Sequence, residues 1–299
     1  MNPAASRRNT GKTGKETAMP DRSALSVSAA EESILGPFRQ TLWEPFLAAV
    51  RRYELISPGD SVAACVSGGK DSMLMAKLLQ MLARSGEIPF SLRFIVMDPG
   101  YSPENRRKIE ENAALLDIPA EIFETNVFSV ANRQEHSPCY LCAKMRRGHL
   151  YAKAKEAGCR KIALGHHRND VAETTVMAMF YGSQLQGMMP KLHSTNFSGM
   201  ELIRPLYCVR EDDIIAWARA NGLEFLQCAC RFTENLTPEQ AGAFSSKRRE
   251  VKELLRELER THPGVEDSIF SAVHSVEFDT FPGWKTNGER HAFTDEDAT

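Results

Sequence analysis

A parallel, doubly wound α/β sheet with helices on both faces is the fold that the middle of this sequence predicts. Short apolar runs alternate with longer helical patterns from Ser61 onward. Each short run is apolar along nearly its whole length, which is typical of strands buried on both faces. A glycine-rich turn joins the first strand to the first helix. In sheets of this class, ligands bind beyond the carboxyl ends of the strands, near the point where the strand order reverses.

Five strands are predicted in chain order, in SVAACV, SLRFIVMD, AEIFETN, KIALGH and ELIRPLY. The helices that follow them are predicted in DSMLMAKLLQMLARSG, SPENRRKIEENAALLD, YLCAKMRRGHLYAKAKEAG, NDVAETTVMAMFYG and REDDIIAWARANG. Ser102 is placed to cap the second of these helices, and Pro103 occupies its first position. Ahead of the sheet, an amphipathic helix is predicted over Leu35–Tyr53, interrupted or kinked near Pro45.

Four segments divide the chain. Residues 1–32 are rich in Ser, Ala, Thr, Gly and charge, so they cannot bury a core and are predicted to be a disordered tail. Residues 33–232 hold the sheet domain, its helical N-terminal addition and a group of cysteines. Residues 233–277 are predicted as a helical C-terminal extension. Residues 278–299 are predicted as loop or a disordered tail.

The composition is that of an ordinary soluble globular protein, with 42% hydrophobic and 25% charged residues. No run of about 18 apolar residues occurs, so no membrane contact is expected. The N-terminus lacks the apolar core of a secretory signal. These observations predict a cytoplasmic protein. Its seven cysteines, an odd number, do not suggest a disulfide framework.

Charge is unevenly distributed along the chain, although the net charge is only −2. Between Lys144 and Arg168, eight basic residues stand against a single acid, Glu156. A local patch of this kind can hold a phosphate backbone while the rest of the surface stays near neutral. A charged helix face exposed to water has the same composition. Charge alone therefore leaves both interpretations open.

The segment VSGGKDS lies at the end of the first strand and the start of the first helix, where a ligand is expected. Its two glycines allow a turn that aims several N–H groups at one point, and the helix N-terminus adds partial positive charge. The lysine adds a full charge, and the aspartate can hold Mg²⁺ or cap the helix. The predicted phosphate-binding residues are Ser67, Gly68, Gly69, Lys70, Asp71 and Ser72.

Further candidates stand at the ends of later strands. Asp98 ends the second strand, where an acid can reach a ribose hydroxyl or a metal ion, or can serve a simple turn. His166 follows the fourth strand and is a candidate for phosphate contact. Asp170 is a candidate Mg²⁺ ligand or a helix cap. Arg204 is a candidate phosphate ligand or a surface residue.

Two pairs of cysteines are closely spaced. Cys139 and Cys142 form a CxxC motif before the basic run, and Cys228 and Cys230 form a CxC motif. Thiolates are soft ligands that suit zinc or iron–sulfur clusters, and three of them leave a fourth position open for a substrate. Four cysteines can instead close a structural zinc site, although two ligands one residue apart fit a regular tetrahedron poorly. A disulfide is disfavoured in a reducing cytoplasm.

SGGKDS resembles the PP-loop of the ATP pyrophosphatase superfamily, whose members split ATP between the α and β phosphates and adenylate a carbonyl oxygen. The ordered set of SGGKDS, CxxC followed by AKMRRGHLY, GHHRND, MFYG and RPL is similar to that of the tRNA 2-thiocytidine synthetase family. The resemblance runs from Leu42 to Arg231. It implies a PP-loop ATPase fold for the sheet domain. It also implies an enzyme that adenylates a cytidine carbonyl oxygen and replaces it with sulfur.

The same resemblance implies ATP, Mg²⁺ and an oxygen-sensitive 4Fe–4S cluster as cofactors. The cluster ligands that it implies are Cys139, Cys142 and Cys228, although this chain has CxC where the family usually has a second CxxC. The residues that it makes catalytic candidates are Asp71, Asp170 and Cys230.

The implied partners are a tRNA, contacted in its anticodon-loop region, and a cysteine desulfurase or another sulfur donor. A homodimer stays open. Two alternatives also remain at this stage. The chain could be another PP-loop adenylating enzyme with a different nucleophile or target, or a non-catalytic nucleotide-binding iron–sulfur sensor.

Overall fold

Six strands form the central sheet in the computed structural model, which describes residues 27–131, 138–226, 247–286 and 288–294. In chain order they are β1 (Ser61–Val66), β2 (Ser91–Asp98), β3 (Ala120–Glu124), β4 (Lys161–Ala163), β5 (Lys191–His193) and β6 (Glu201–Ile203). Their order across the sheet is β3-β2-β1-β4-β6-β5. The first five in that order run parallel, and the edge strand β5 runs antiparallel to β6.

The strand order reverses at β1, which pairs with β2 on one side and with β4 on the other. Val62 is opposite Leu92 of β2 and Lys161 of β4. The chain therefore builds the sheet outward from β1 in both directions. This arrangement opens a crevice between the carboxyl ends of β1 and β4, the place where such sheets bind ligands.

Ten α-helices surround the sheet and extend the chain at both ends of the described part. They are α1 (Val27–Leu35), α2 (Glu44–Arg52), α3 (Lys70–Ser85), α4 (Pro103–Leu115), α5 (Val127–Ala131), α6 (Pro138–Glu156), α7 (Arg168–Gly182), α8 (Glu211–Ala220), α9 (Lys247–Thr261) and α10 (Val265–Ala272). Ser102 caps α4 as predicted, because its side chain accepts a hydrogen bond from the Asn105 amide.

Alternation along β1 shows why helices cover both faces. Val62 and Ala64 belong to the core that includes α3, whereas Ala63 and Cys65 pack in the core that includes Tyr151 of α6. All of these side chains are buried because successive residues of a strand point to opposite faces. The predicted doubly wound α/β sheet, with helices on both faces, is therefore confirmed.

The helical region predicted over Leu35–Tyr53 is interrupted just before Pro45. Helix α1 ends at Leu35, a π-helical turn follows at Arg39–Trp43, and α2 then begins at Glu44. Pro45 lies in the first turn of α2, where its missing N–H removes no helical hydrogen bond. The predicted tail of residues 1–32 also overlaps α1, because Ala30 and Ile34, four residues apart, are fully buried in the core.

The C-terminal part also holds more regular structure than the sequence indicated. Where loop or disorder was predicted over 278–299, the structure has a 3₁₀ turn at Phe278–Thr280 and a hairpin of β7 (Gly283–Thr286) and β8 (Glu289–Ala292). The strand β5 was not predicted either, because this edge strand has a single apolar residue, Leu192, and so shows no apolar run. None of the described helices is long and apolar enough to cross a membrane.

Candidate active site

A cavity of about 500 Å³ opens at the carboxyl ends of β1 and β4. Its walls come from the loops after these strands, from α6, from the chain after β6 and from the start of α9. Six of the candidate site residues line it, namely Ser67, Asp71, Ser72, His166, Asp170 and Arg204. Its positive charge comes from Arg146, Arg147, Arg204 and Arg248. The cavity therefore brings together residues that are up to 181 positions apart, from Ser67 to Arg248.

The loop after β1 is fixed by its own hydrogen bonds. The Ser67 amide donates to Ser72 Oγ at 3.0 Å, and Ser72 Oγ donates to the Gly69 carbonyl at 3.0 Å. Gly68 has φ +83°, and a Cβ there would lie 2.6 Å from Ile109 Cγ1. Only glycine fits this position. Gly69 is the N-cap of α3 and has no side chain to occupy the first amides of the helix, which an anion can therefore reach.

Lys70 is held by two carboxylates. Its Nζ lies 2.9 Å from Glu211 Oε1 and 3.1 Å from Asp71 Oδ1. Burial opposes the charge of the lysine, but Asp71 and Glu211 raise the pKa of Lys70 above its ordinary value. The loop lysine is charged and already paired, so an incoming phosphate must take it from carboxylates of the protein.

The loop after β4 touches the phosphate loop directly. A Cβ on Gly165 would lie 2.9 Å from the Ser72 backbone nitrogen, so the two backbones are in contact. His167 and Asp170 form a capping box at the start of α7, in which the His167 amide donates to Asp170 Oδ2 at 2.8 Å. Asp170 therefore caps its helix, which is one of the two roles predicted for it. It also lines the cavity.

Helix α9 adds cations that the sequence did not assign to the site. Arg248 pairs with Asp170, and its Nε lies 2.9 Å from Glu173 Oε2. Lys252 Nζ lies 2.7 Å from Glu211 Oε2. Their spacing of four residues puts both on one face of α9, but nothing in the sequence says which element that face contacts.

These cations set the charge of two buried acids. Burial alone would raise the pKa of Asp170, but His167 and Arg248 lower it below its ordinary value. Burial would also raise the pKa of Glu211, but hydrogen bonds from Lys252 and Lys70 lower it to about 2. Both carboxylates are therefore ionised at neutral pH.

Two buried groups of the cavity have a polar atom without a partner among the described residues. They are His166, at Nδ1, and Arg204, at Nε. Burial lowers the pKa of His166 to about 4, so its ring is neutral at pH 7. Burial also lowers the pKa of Arg204 to about 10, which still leaves the guanidinium charged.

Asp98 does not line the cavity. Its Oδ1 accepts hydrogen bonds from the Gly100 and Tyr101 amides, at 2.8 and 2.7 Å, and its Oδ2 lies 2.9 Å from an Arg106 nitrogen. Of the two roles that the sequence left open, these contacts favour the turn over the predicted cofactor contact. Both carboxylate oxygens are already used within the protein.

The predicted cysteine ligands are only partly described. Cys139 lies in the first turns of α6, and Cys142, one turn later, is half-buried against the main core. Cys228 and Cys230 lie outside the described residues. Leu226, the last described residue before them, donates its amide to the Gly68 carbonyl at 3.2 Å. Within the described part, no three His, Cys, Asp or Glu side chains group as a metal site.

Of the other cysteines, Cys65 lines the cavity floor. Burial raises the pKa of its thiol well above the usual range, so it stays protonated and is a poor nucleophile. Of the basic run between Lys144 and Arg168, Arg146 and Arg147 reach the cavity. The remaining cations of that run do not line it.

A family model described as a PP-loop domain matches residues 46–234 of this chain. The tRNA-cytidine(32) 2-sulfurtransferase of Cellvibrio japonicus is 38% identical over 237 residues, which cover 77% of this chain and 74% of that protein. The protein of the same name from Cronobacter sakazakii is 34% identical over 257 residues, which cover 84% of this chain and 78% of that protein.

Among solved structures, the U34-tRNA thiolase NcsA from Methanococcus maripaludis, with its 4Fe-4S cluster, superposes with a TM-score of 0.59 at 24% identity. The match covers 78% of this chain and 79% of that chain. At this identity, the likeness supports the fold.

A glycine-built loop at the switch point of a doubly wound sheet, together with the matching family model, defines the class of PP-loop proteins. Within that class, this chain belongs to the tRNA 2-thiocytidine synthetase family, which the two sulfurtransferases represent.

Proposed function

We propose that this protein is an ATP-dependent tRNA sulfurtransferase that converts a cytidine of its substrate to 2-thiocytidine. The names of its relatives specify cytidine 32 of tRNA, which we take as the target. One structural observation supports the proposal most directly. Helix α6, which carries Cys139 and Cys142, presents Arg146 and Arg147 to the same cavity that the phosphate loop lines. The helix that carries the proposed sulfur-handling cysteines therefore borders the proposed nucleotide site.

The first half-reaction uses the phosphate loop. The triphosphate of ATP is held by the amides at the start of α3, by Ser67 and Ser72, and by Lys70. The cytidine O2 attacks the α-phosphorus, a new P–O bond forms, and the bond to the β-phosphate breaks. Pyrophosphate leaves with the electron pair, and Lys70 stabilises the charge that develops on it.

Mg²⁺ fits the acids of this site. Asp71 and Asp170 both line the cavity, where Lys70 holds Asp71 Oδ1 at 3.1 Å and Arg248 pairs with Asp170. Mg²⁺ would take the place of these cations on the two carboxylates. Oxygen atoms of carboxylates and phosphates are the ligands that Mg²⁺ prefers. Asp71 and Asp170 would hold the ion, which would neutralise phosphate charge during adenylation.

The second half-reaction replaces the adenylate with sulfur. Sulfur attacks C2 of the base, the C–S bond forms, and AMP leaves with both electrons of the broken C–O bond. With sulfur at the sulfide level, the step needs no oxidant or reductant. If Cys230 carries the sulfur as a persulfide, a second thiol must reduce the sulfur–sulfur bond that remains.

A 4Fe–4S cluster fits the thiolate donors proposed for it, Cys139, Cys142 and Cys228. The described one, Cys142, is half-buried in the helix that adjoins the cavity. When bound with three protein ligands, such a cluster supplies an open iron position for sulfur. A cysteine desulfurase or a similar donor would deliver that sulfur, and the tRNA substrate implies a cytoplasmic location.

The test uses protein purified without oxygen and incubated with ATP and tRNA. We expect about four iron and four sulfide per chain, release of pyrophosphate, and exchange of one oxygen for sulfur in cytidine, detected by mass spectrometry. Asp71→Ala should abolish pyrophosphate release, whereas Cys139→Ala should retain ATP binding and lose thiolation.

Cys159→Ala is the matched control, because Cys159 is a buried thiol outside the cavity. A Cys139→Ala protein that still thiolates cytidine contradicts the cluster role. Adenylation without any gain of sulfur would instead favour another nucleophile, and the absence of ATP turnover in the presence of tRNA would favour a sensor.

A further inference from the structure

Arg204 is a buried cation for which the described protein supplies no counter-ion. Its relative exposure is 8%, and its Nε has no hydrogen-bond partner among the described residues. The guanidinium donates only to the Met189 carbonyl, which is a neutral acceptor. A buried charge is expensive unless it is paired. An anion that enters the cavity would supply the missing partner.

No carboxylate among the described residues serves as the counter-ion of Arg204. Asp170 is an acid that interacts electrostatically with Arg204, but it pairs with Arg248 instead. Arg147, also on the cavity wall, adds a second positive charge close enough to oppose that of Arg204. Arg146 and Arg147 likewise form no ion pair within the described ranges. The three arginines therefore leave the cavity with positive charge that no carboxylate in the described ranges balances.

The position of Arg204 in the sheet separates it from the phosphate loop. Arg204 follows β6, which lies two strands from β1, or about 10 Å at the usual strand spacing. The phosphates at the loop have their own cation, Lys70. His166, at the end of β4 between these strands, has a neutral ring with a free Nδ1 and so adds a hydrogen-bonding atom without further charge.

We propose that Arg204, Arg147 and Arg146 form a second anion-binding subsite, which holds a backbone phosphate of the RNA substrate beside the target nucleotide. Basic residues continue along α6 from this subsite to the exposed Lys144. Lys144 and Arg147 lie less than one helical turn apart, so this positive surface extends from the cavity to the exposed face of α6, where an RNA strand that leaves the cavity would run. The inference rests on the proposed function and specifies how its substrate is positioned.

The experiment measures tRNA binding by Arg204→Gln and wild-type protein over a series of salt concentrations. Each lost phosphate contact reduces the slope of log Kd against log salt by about 0.7 for a single-stranded segment. We expect Arg204→Gln to reduce the slope by that amount and to weaken binding about tenfold at low salt. ATP affinity, measured by calorimetry without tRNA, should change less than about twofold.

Arg160→Gln is the control, because Arg160 is an exposed cation of the same basic run that does not line the cavity. It should leave the slope unchanged. Arg147→Gln provides a second variant if Arg204→Gln fails to fold, because Arg147 is exposed and its loss should not disturb packing. It should give the same reduction in slope.

Two results would overturn the inference. The first is a wild-type slope in both the Arg204 and Arg147 variants, or an equal loss in Arg160→Gln. The second is weakened ATP binding with unchanged tRNA binding, which would assign the subsite to a nucleotide phosphate. Failure of the proposed function looks different, because wild-type protein would then bind tRNA with the arginine-dependent slope and yet add no sulfur to cytidine.

Discussion

The two sides of the cavity carry positive charge in different ways. On the side of the phosphate loop, which we call the loop wall, Arg248 lines the cavity and Lys70 lies beside it in the loop. Both are paired with carboxylates, Arg248 with Asp170 and Lys70 with Glu211. On the other side, the arginine wall, the described residues provide no carboxylate partner for Arg146, Arg147 or Arg204. One wall is neutralised from within the protein, and the other is left positive.

This difference indicates how each wall responds to a ligand. On the loop wall, a phosphate must displace carboxylates that already hold the cations, so binding there is an exchange of partners. On the arginine wall, a phosphate supplies a counter-ion that is missing, so binding relieves the cost of a buried charge. The first arrangement suits a phosphate group that must later leave, and the second suits an anchor that stays.

The largest expected effect tests whether pyrophosphate release depends on the backbone of the loop wall while tRNA affinity does not. Gly68→Ala places a Cβ 2.6 Å from Ile109 Cγ1 in a left-handed conformation. We expect pyrophosphate release to fall by a factor of about 100 or more, because the amides no longer converge on the phosphates. Affinity for tRNA should stay near the wild-type value. Pyrophosphate release is measured in a stopped-time assay, and tRNA affinity is measured by filter binding.

Gly59→Ala is the matched control for this prediction. Gly59 has φ +84°, nearly the same backbone strain, but no atom within 4 Å of the added Cβ. It should lower the free energy of unfolding by ~1 kcal/mol and leave activity unchanged. Equal loss of activity in both variants would mean that strain, and not loop geometry, controls the reaction.

A smaller effect tests whether the loop wall binds by exchange. Glu211→Gln removes the carboxylate that competes with phosphate for Lys70, so the Kd for ATP should fall about threefold to tenfold. The same change removes the nearer of the two carboxylates that hold Lys252, leaving Glu173 Oε1 at 3.7 Å, and should reduce the free energy of unfolding by ~1–3 kcal/mol. Calorimetry and urea unfolding give the two values, and Asp212→Asn, next to it and exposed, is the control.

Weaker ATP binding by Glu211→Gln would contradict the idea that phosphate replaces Glu211 as the partner of Lys70. It would mean that Glu211 holds Lys70 in the position that phosphate requires.

The smallest effect concerns pH and the arginine wall. His166 has a pKa lowered by burial to about 4, so the unfolded chain takes up a proton there at a higher pH than the folded chain does. Stability should therefore fall as pH decreases from about 6.5 toward 4, by ~1 kcal/mol between pH 6.5 and 5. Urea unfolding at several pH values measures this, and His166→Gln should lose that part of the dependence.

If the stability of His166→Gln depends on pH as that of the wild-type protein does, another group is responsible for the dependence. The same unfolding experiment with inorganic phosphate tests the arginine wall. An anion bound there should raise the pKa of His166 and so reduce the loss of stability at low pH.

The sequence predicts the parts of this molecule that depend on local patterns. Apolar runs such as that of β1 gave the sheet, and glycines at fixed spacing gave the loop of Ser67–Ser72. Asp170 and His166 were also found, because the carboxyl ends of parallel strands meet at one edge. The basic run was identified, but only the structure shows that Arg146 and Arg147 are the members that reach the cavity.

What escaped prediction depends on contacts between distant elements. Glu211 and Arg248 stand in the charged first turns of α8 and α9, and such charge is more often exposed to water. Asp98 ends its strand as a ligand would, yet the next residues fold back and use both of its oxygens. Local pattern cannot distinguish these cases, because the deciding partners are set by tertiary packing.

The contact of Gly165 with the Ser72 backbone limits how this protein can diverge or be redesigned. Any larger residue there would force the two nucleotide-facing loops apart, so neither loop can change shape without the other. Altered base preference must therefore be sought in α6 or at position 204, whose residues line the other side of the cavity. In a library for new RNA targets, residues 67–72 and 165 would be kept constant, and diversity would be placed on the opposite wall.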